Sequence, residues 1–452
     1  MTPTNPPPTL ARRLGVFDAT MIVMGGIIGS GIFMNPHVVA EFVHTPFMIL
    51  LAWLIGGGLA IVGAFVYAEL AARRPEAGGE YVYLREAYHP ALGFMYGWTL
   101  LFVIQSGGMA AVALTFARYF IAFTGIGTPD WLVASITLVA LTGINCVGVK
   151  EGSNVQSVLM ILKITAIVML VACGFFLING SKFTLQPLLD APPSFDMITV
   201  MGAALVPVLF AYGGWQTSNF IAGEVENPTR NLPRGLLFGT GGVVLLYIAV
   251  NYVCLHALGA DGLAQTKTPA TAVMELALGP IGATLIGIGI AISTLGFLSQ
   301  SILTGPRVYY AMASDGLFFK GIAKVHPKTQ VPLNAIVLQG VLAIGIALVG
   351  KYEGILNYVV VADWIWFGLG GTCIFMLRKQ DLARGNSDIT YKIPGHPYTT
   401  LAFIAVSWAI VLNTIYKFPT NTLLGIAIIL SGIPIYYFWK WKNKLSRPNT
   451  GR

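Results

Sequence analysis

The chain has 452 residues, of which 55% are hydrophobic and only 10% are charged. A soluble domain carries about a quarter charged residues, so this chain has too little polar surface to cover a water-soluble globule of its size. The net charge of +8 is compatible with nucleic-acid binding, but the positions of the basic residues indicate membrane topology instead. The composition therefore predicts a polytopic membrane protein whose apolar stretches form spanning helices.

The chain begins with a predicted short cytoplasmic tail, residues 1–15. This tail is rich in proline and threonine, carries Arg12 and Arg13 just before the first apolar run, and has no signal-peptide cleavage site. Twelve apolar segments follow, and a basic cytoplasmic tail of residues 441–452 ends the chain. The segments cover residues 16–40, 46–72, 91–123, 131–150, 154–179, 197–222, 235–259, 280–313, 332–350, 353–377, 399–416 and 420–440.

The basic residues of the connecting segments predict the orientation. An even number of spans places both termini on one side of the membrane. If that side is the cytoplasm, most loop arginines and lysines lie there, and the outer side holds only Lys182, Lys267, Lys351 and Lys417. This asymmetry follows the positive-inside rule, so we expect a multi-pass protein of a cell membrane (plasma or inner membrane) with cytoplasmic N- and C-termini.

Glycine clusters interrupt the first and the sixth apolar segments. The first segment contains GGIIGSGIF at residues 25–33, and the sixth contains FAYGGW at residues 210–215, shortly after Pro207. Glycine destabilises a helix, so such clusters favour unwound backbone. Unwound backbone inside a membrane is tolerated only where protein or a cavity covers it. The two clusters therefore predict that helices 1 and 6 are broken.

The positions of the two breaks predict an internal repeat. The broken helices are five apart, and five is odd, so the two halves are inverted copies whose breaks meet near the midplane, as in secondary transporters. We expect a first five-helix repeat at residues 16–180, a second, inverted one at 197–378, and two additional helices at 399–440. The alternative is that the small residues only allow close helix packing. Two breaks in matching positions favour the repeat.

Four stretches of the chain resemble the amino acid–polyamine–organocation transporter superfamily, and more closely its L-type amino-acid transporter family. They are GGIIGSGIF at 25–33, YAELAARRPEAGGEYVYLREAY at 67–88, FAYGGWQTSNFIAGEVENPTRNLPRG at 210–235 and GPRVYYAMASDGLFF at 305–319. The resemblance implies an all-α LeuT-type fold of five plus five inverted helices, with twelve transmembrane helices in total. It also implies a secondary transporter that moves L-amino acids by alternating access.

The first break offers donors for the carboxylate of an amino acid. The helix that starts after a break exposes unpaired N–H groups and the positive end of a helix dipole. Glycine lets a ligand approach this backbone closely. We therefore expect the carboxylate to bind the N–H groups of Gly29, Ser30 and Gly31, with the Ser30 hydroxyl as an additional donor.

Unpaired carbonyl groups beside the breaks offer acceptors for the ammonium group of an amino acid. The resemblance implies that the ammonium binds the carbonyls of Ile27, Phe210 and Gly213, and that Phe210 and Trp215 are aromatic gates near the side-chain pocket. The alternative for both aromatic residues is ordinary helix packing. In the third segment, Gly108 either leaves room in the pocket or allows tight packing.

Lys163 lies in an otherwise apolar run, about nine residues or roughly 14 Å from the cytoplasmic end of its helix. A lysine at that depth is costly and indicates a function. In sodium-coupled members of the resembled fold, a cation lies between helices 1, 5 and 8, and sodium-independent members carry a lysine instead. The resemblance therefore implies sodium independence, with Lys163 joining the unwound part of helix 1 to helix 8. It is a fixed cation, a residue that loses its proton during transport, or one half of a structural ion pair.

Asp363 also lies deep in a predicted span. It contacts a cationic substrate, takes part in proton coupling, or bonds to backbone near the pocket. Glu69, Glu224 and Arg230 lie close to the cytoplasmic face, where they form part of an inner gate or only exposed surface pairs.

Other classes of protein fit the sequence less well. A membrane enzyme would need clustered histidines or acids, whereas the six histidines are scattered and no metal-ligand spacing or cofactor motif is present. A channel would show a filter repeated around an axis. An amino-acid sensor built on a transporter fold stays open as an alternative.

The mechanism and the partners are predicted less completely. Exchange of one amino acid for another is expected, with proton-coupled symport, including of cationic or polyamine substrates, as the alternative. We expect neutral amino acids. The predicted outer loop at residues 124–130 has no cysteine, so no disulfide-linked heavy chain is expected, and the oligomeric state is open. The four cysteines lie inside apolar stretches and predict no disulfide framework; they are Cys146, Cys173, Cys254 and Cys373.

Overall fold

The computed structural model describes residues 10, 12–189, 194–349, 352–385 and 391–446. Parts of both predicted tails, and Lys351, lie outside the described residues. The helices are α1 (Val16–Ile27), α2 (Gly31–Phe42), α3 (Pro46–Arg73), α4 (Glu80–Ala87), α5 (Pro90–Thr99), α6 (Ser106–Thr124), α7 (Asp130–Val147), α8 (Val149–Phe176), α9 (Phe195–Tyr212), α10 (Pro228–Gln265), α11 (Pro269–Leu278), α12 (Pro280–Thr304), α13 (Pro306–Ser314), α14 (Leu333–Val349), α15 (Tyr352–Ala383), α16 (Tyr398–Lys417) and α17 (Pro419–Ser446).

Three tighter or wider helical segments complete the secondary structure. A π-helical segment, Leu100–Gln105, joins α5 to α6, and 3₁₀ segments cover Trp215–Glu224 and Lys320–Ala323. Within the described residues, extended pairing is limited to one isolated bridge between Leu14 and Val225. The chain is thus an all-α protein, as the sequence predicts.

Ten helical stretches of the described chain are long and apolar enough to cross a membrane. They correspond to the first eight predicted segments and to the tenth and eleventh. The predicted segments at 332–350 and 420–440 coincide with α14 and α17. The prediction of a polytopic membrane protein is therefore confirmed, whereas the count of twelve spans, the inverted repeat and its boundaries stay predictions.

Both predicted helix breaks are present. The first helix stops at Ile27, Ile28 is extended, and α2 starts at Gly31. The sixth stops at Tyr212, and Gly214 has a positive φ of 104°, which favours glycine. A Cβ atom on Gly214 would lie 2.1 Å from the carbonyl oxygen of Gly26. The two breaks therefore touch at a point where only glycine fits.

The surrounding helices fix the position of the first break. Helix α1 packs against α10 on one side and against α8 and α12 on the other, and α2 packs against α9. Trp53, Tyr212 and Tyr247 form an aromatic group beside the breaks, with ring centroids 5.0 to 5.8 Å apart. This packing covers the unwound backbone with protein, as its unpaired polar groups require.

Candidate functional site

A cavity lies where the two helix breaks meet. Its walls come from both breaks, the junction of the π-helical segment with α6, the C-terminal part of α12 and one face of α15. The lining residues are Gly26, Ile27, Gly29, Ser30, Gly31, Leu100, Ile104, Gln105, Gly108, Val112, Leu209, Phe210, Ala211, Gly213, Gly214, Gln216, Thr217, Phe297, Gln300, Ser301, Val359, Val360, Asp363, Trp364 and Phe367.

The donor side of the cavity is the start of α2. Gly29, Ser30 and Gly31, the three residues predicted to bind a carboxylate, all line the cavity. Within the described residues, the N–H groups of Gly29 and Ser30 make no backbone hydrogen bond. The buried hydroxyl of Ser30 also has no partner there. Free donors at a helix N-terminus form an anion site, so this wall can bind a carboxylate.

The acceptor side of the cavity consists of carbonyl groups at both breaks. Ile27, Phe210 and Gly213 line the cavity as predicted. The Phe210 carbonyl accepts a hydrogen bond from the N–H of Gly213 at 3.2 Å. A carbonyl oxygen has two lone pairs, so these groups keep capacity for an ammonium group.

Tyr247 of α10 is a site residue that sequence reasoning missed. Its buried hydroxyl lies 3.1 Å from the carbonyl oxygen of Ile27 and 3.2 Å from that of Ala211. It can donate to either, and it therefore joins the first break to the second. In the sequence, Tyr247 is one aromatic residue in a long apolar run, and no local signal distinguishes it from helix packing.

Lys163 of α8 lies behind the first break rather than in the cavity wall. Its side chain is fully buried, and its ammonium donates a hydrogen bond to the carbonyl of Ile28. A Cβ atom on Gly296 of α12 would lie 2.9 Å from the Lys163 Cε. In the described part of the chain, no carboxylate forms an ion pair with it.

Ser293 of α12 supports the same stretch of backbone. Its hydroxyl donates to the carbonyl of Gly29 at 3.1 Å. The two carbonyls that follow α1 are thus held from α8 and from α12, whereas the N–H groups of Gly29 and Ser30 make no backbone hydrogen bond within the described residues.

The two predicted gate residues occupy different places. Phe210 lines the cavity and is half-buried. Trp215 is not among the lining residues. Its ring packs against Tyr67 and Phe367 with centroids 4.8 and 4.7 Å away, and a Cβ atom on Gly63 would lie 2.6 Å from it. Trp215 therefore supports Phe367, which does line the cavity, from behind.

The side of the cavity formed by α6 offers free space. Gly108 lines it, and a Cβ atom on Gly108 would meet nothing within 4 Å. The π-helical segment Leu100–Gln105 ends just before this point, and such segments often occur at functional sites. Amide and hydroxyl groups complete the polar lining, and Gln300 donates to Thr217 at 2.5 Å.

Asp363 of α15 is the only ionisable side chain among the described lining residues. It makes no ion pair or hydrogen bond with any part of the chain that the structure describes. An unpaired carboxylate in a cavity at membrane depth is costly, so a role of Asp363 in the site stays a prediction.

Two of the three predicted inner-gate residues, Glu69 and Glu224, lie in buried ion-pair groups. Glu69 pairs with Arg73 at 2.6 Å and with Arg378 at 2.7 Å, which joins α3 to α15. Glu224 pairs with Arg307 of α13 at 2.6 Å, and both side chains are fully buried. Arg230 is exposed and takes part in neither group.

Comparison with known proteins gives a family match over almost the whole chain. Residues 14–438 match the model of a family described as amino acid permease. The serine/threonine exchanger SteT of Bacillus subtilis (strain 168) is 32% identical over 441 residues, which cover 97% of this chain and 98% of that protein.

Two human relatives are similar over comparable lengths. The large neutral amino acids transporter small subunit 2 is 29% identical over 96% of this chain and 82% of that protein. The b(0,+)-type amino acid transporter 1 is 29% identical over 98% of this chain and 92% of that protein.

Proposed function

The chain belongs to the amino acid permease family, and on this premise we propose that it exchanges one L-amino acid for another across a cell membrane, without sodium. The observation that carries this proposal is the pair of helix breaks. Gly29 and Ser30, whose N–H groups make no backbone hydrogen bond among the described residues, line the same cavity as Ile27 and Phe210. This arrangement matches the two charged ends of a free amino acid.

The lining supports a substrate with a neutral side chain. Apart from Asp363, the described walls offer only apolar, amide and hydroxyl groups. The names of two relatives, a serine/threonine exchanger and a transporter of large neutral amino acids, agree with such substrates, and the first name also agrees with exchange.

The contact of Lys163 supports sodium independence. Its ammonium bonds to the Ile28 carbonyl and lies against α12. A carbonyl of unwound helix is the kind of ligand that a sodium ion would use in a transporter. A lysine that fills this place supplies an ammonium group and removes the need for a bound metal cation.

The membrane placement and the partners form part of the same proposal. Both termini lie in the cytoplasm, because the positive-inside rule favours that orientation. The chain works without a disulfide-linked heavy chain. The segment between α6 and α7 has no cysteine, and the four cysteines are unpaired residues of α7, α8, α10 and α15.

Counterflow in proteoliposomes tests the proposal. Purified protein is reconstituted in sodium-free buffer at equal pH inside and outside, and uptake of labelled L-serine, L-threonine, L-leucine and L-lysine is measured. We expect uptake only into vesicles preloaded with unlabelled amino acid. Equal uptake into empty vesicles would contradict exchange, and a requirement for sodium would contradict the assignment of Lys163. Protein-free vesicles are the control.

A further inference from the structure

Glu80 is a buried acid without a described function. It is the first residue of α4, in the segment that connects the second and third spans. Its side chain is 1% exposed, and neither carboxylate oxygen has a hydrogen-bond partner within the described chain. A buried carboxylate without partners is strongly disfavoured in its charged form. Glu80 therefore either holds a proton or receives positive charge from outside the protein.

Polar groups without partners surround this carboxylate. The hydroxyls of Tyr67 and Tyr96 are buried, and neither has a hydrogen-bond partner among the described residues. A Cβ atom on Gly370 of α15 would lie 2.6 Å from the Tyr67 hydroxyl and 2.7 Å from one Glu80 oxygen. The carboxylate and the phenol thus meet against the backbone of α15, in a pocket that only glycine leaves open.

The same face of α15 leads from Glu80 to the cavity. Gly370 follows Asp363 by seven residues, which is two helical turns or about 10 Å. Asp363 is the unpaired acid of the cavity wall, and its charge acts on Glu80. Two unpaired carboxylates therefore lie along one face of α15. Asp363 of α15 is in the cavity wall, and Glu80 of α4 meets the same helix two turns away, at Gly370.

No cation is available in the described structure to neutralise this pair. Tyr67, Tyr83, Tyr96 and Cys373 are the titratable groups that face Glu80 from α3, α4, α5 and α15, and Tyr309 of α13 lies next to Tyr96. The nearby arginines bind other acids. Arg73 and Arg74 pair with Asp381, Arg378 with Glu69, Arg85 with Asp315, and Arg307 with Glu224.

The pKa of Glu80 is raised from 4.5 to about 8, mainly by burial and also by the charge of Asp363, after the hydroxyls of Tyr67 and Tyr96 have offset part of the rise. Two like charges close together in a low dielectric cannot both be ionised cheaply. Near neutral pH, the pair thus holds at least one proton in the conformation described here.

We propose that Glu80 and Asp363 form a proton-binding pair, and that binding of an amino acid in the cavity is linked to protonation of this pair. The inference rests on the proposed function. The linkage has a physical cause: a second negative charge at the cavity repels the substrate carboxylate and opposes closure of the site around it. A proton taken from solution onto a carboxylate oxygen removes that charge.

A cationic substrate is the competing explanation for Asp363. A positively charged side chain would neutralise Asp363 in the cavity, but it would not reach Glu80, which is buried beside Tyr67, behind the lining residue Phe367. A bound proton explains why both Glu80 and Asp363 are unpaired, so the observations favour a proton over a cationic substrate.

The test is the pH dependence of amino-acid binding to the purified protein. Affinity for the panel member with the fastest counterflow, among L-serine, L-threonine and L-leucine, is measured at pH 6 and pH 9. If one proton must be bound by a group with a pKa of about 8, affinity falls about tenfold between these values. At pH 6, Glu80→Gln should bind the amino acid within about twofold of the wild-type affinity. Its affinity should not fall between pH 6 and pH 9.

Glu76→Gln is the matched control, because Glu76 lies in the same connecting segment with a side chain that is 59% exposed. It should keep the pH dependence. A wild-type affinity that is independent of pH, or a Glu80→Gln variant that keeps the tenfold fall, overturns the proposal. The proposal is also overturned if the wild-type protein binds L-lysine more tightly than the other amino acids and Asp363→Asn abolishes this preference.

A second measurement needs only the wild-type protein. In weakly buffered solution with an indicator dye, binding should take up close to one proton per amino acid at pH 9 and none at pH 6. Absence of proton uptake at pH 9 overturns the proposal even if Glu80→Gln fails to fold. Exchange that persists without pH linkage leaves the proposed function intact, whereas failure of every amino acid to exchange removes the basis of both.

Discussion

The ammonium of Lys163 donates a hydrogen bond to the carbonyl of Ile28, the first residue after α1 ends. A backbone carbonyl at a helix break has lost its partner in the helix and needs a donor. Because Lys163 supplies that donor from α8 and contacts Gly296 of α12, it joins three helices at the point where the backbone turns toward the cavity.

Replacing Lys163 by alanine should therefore disorder the break. Lys163→Ala leaves the buried Ile28 carbonyl without its ammonium donor, so we expect the exchange rate to fall at least about tenfold, as the loss of a charged hydrogen bond implies. Counterflow at matched protein density measures the effect. Lys150→Ala, on the same helix but 41% exposed, is the control. A Lys163→Ala rate near that of the wild type would refute the role of this residue.

Gly31 tests the carboxylate assignment. A Cβ atom at this position would lie 3.0 Å from the Cα and Cβ atoms of Ala211, so a branched side chain forces the two breaks apart and obstructs the start of α2. Gly31→Val should abolish detectable amino-acid binding. Gly58→Val serves as the control, since a Cβ atom there meets nothing within 4 Å. Unchanged affinity in Gly31→Val would remove the basis for placing the carboxylate at this N-terminus.

The breaks, and the part of the cavity lining that they form, could be predicted from the sequence because they depend on local backbone requirements. Gly26 and Gly214 approach so closely that only glycine fits, and a glycine cluster in an apolar segment is visible without a structure. The residues that expose free N–H groups follow directly from the position of the break. The same reasoning identified Lys163 and Asp363, because a charge inside an apolar run is conspicuous.

Packing between distant segments could not be predicted in this way. Trp215 lies behind the lining because Gly63 of α3 leaves space for its ring, and nothing near Trp215 in the sequence indicates that space. Glu80 lies in a polar stretch of the sequence whose composition predicts a surface loop. Its burial depends on contact with Gly370, almost three hundred residues later in the chain.

Tyr247 tests whether the two breaks act as one site. Tyr247→Phe removes the hydroxyl that lies near the carbonyls of Ile27 and Ala211 and keeps the ring packing. A hydrogen bond contributes about 1 kcal/mol net, so we expect affinity to fall about fivefold. Tyr252→Phe, five residues further along α10, changes a ring that packs against Phe183 instead and should bind normally. Equal affinities for the two variants would show that Tyr247 only fills space.

The Glu224–Arg307 pair tests the stability of the region after the second break. Both side chains are fully buried, with Nε and Oε1 2.6 Å apart. Removing one partner of a buried pair costs about 3–5 kcal/mol because the other charge stays unpaired. Arg307→Met should therefore lower the midpoint of thermal unfolding markedly, and Glu224→Gln combined with Arg307→Met should restore part of the loss. Arg230→Met, at an exposed position, should change little. A small effect of Arg307→Met alone would mean that water or lipid reaches Glu224.

Glu80 also predicts how stability depends on pH. Burial raises its pKa from 4.5 to about 8, so between these values the folded protein binds more protons than the unfolded chain. The contribution of Glu80 to stability is therefore fully present below pH 4.5, falls as pH rises through this window, and stays low above pH 8. Glutamine does not titrate, so Glu80→Gln should gain thermal stability relative to the wild type as pH increases from 5 to 9. The exposed variant Glu76→Gln should follow the wild type. A constant difference between Glu80→Gln and the wild type across this range would mean that Glu80 is charged in the folded protein at every pH tested, and that a cation reaches it.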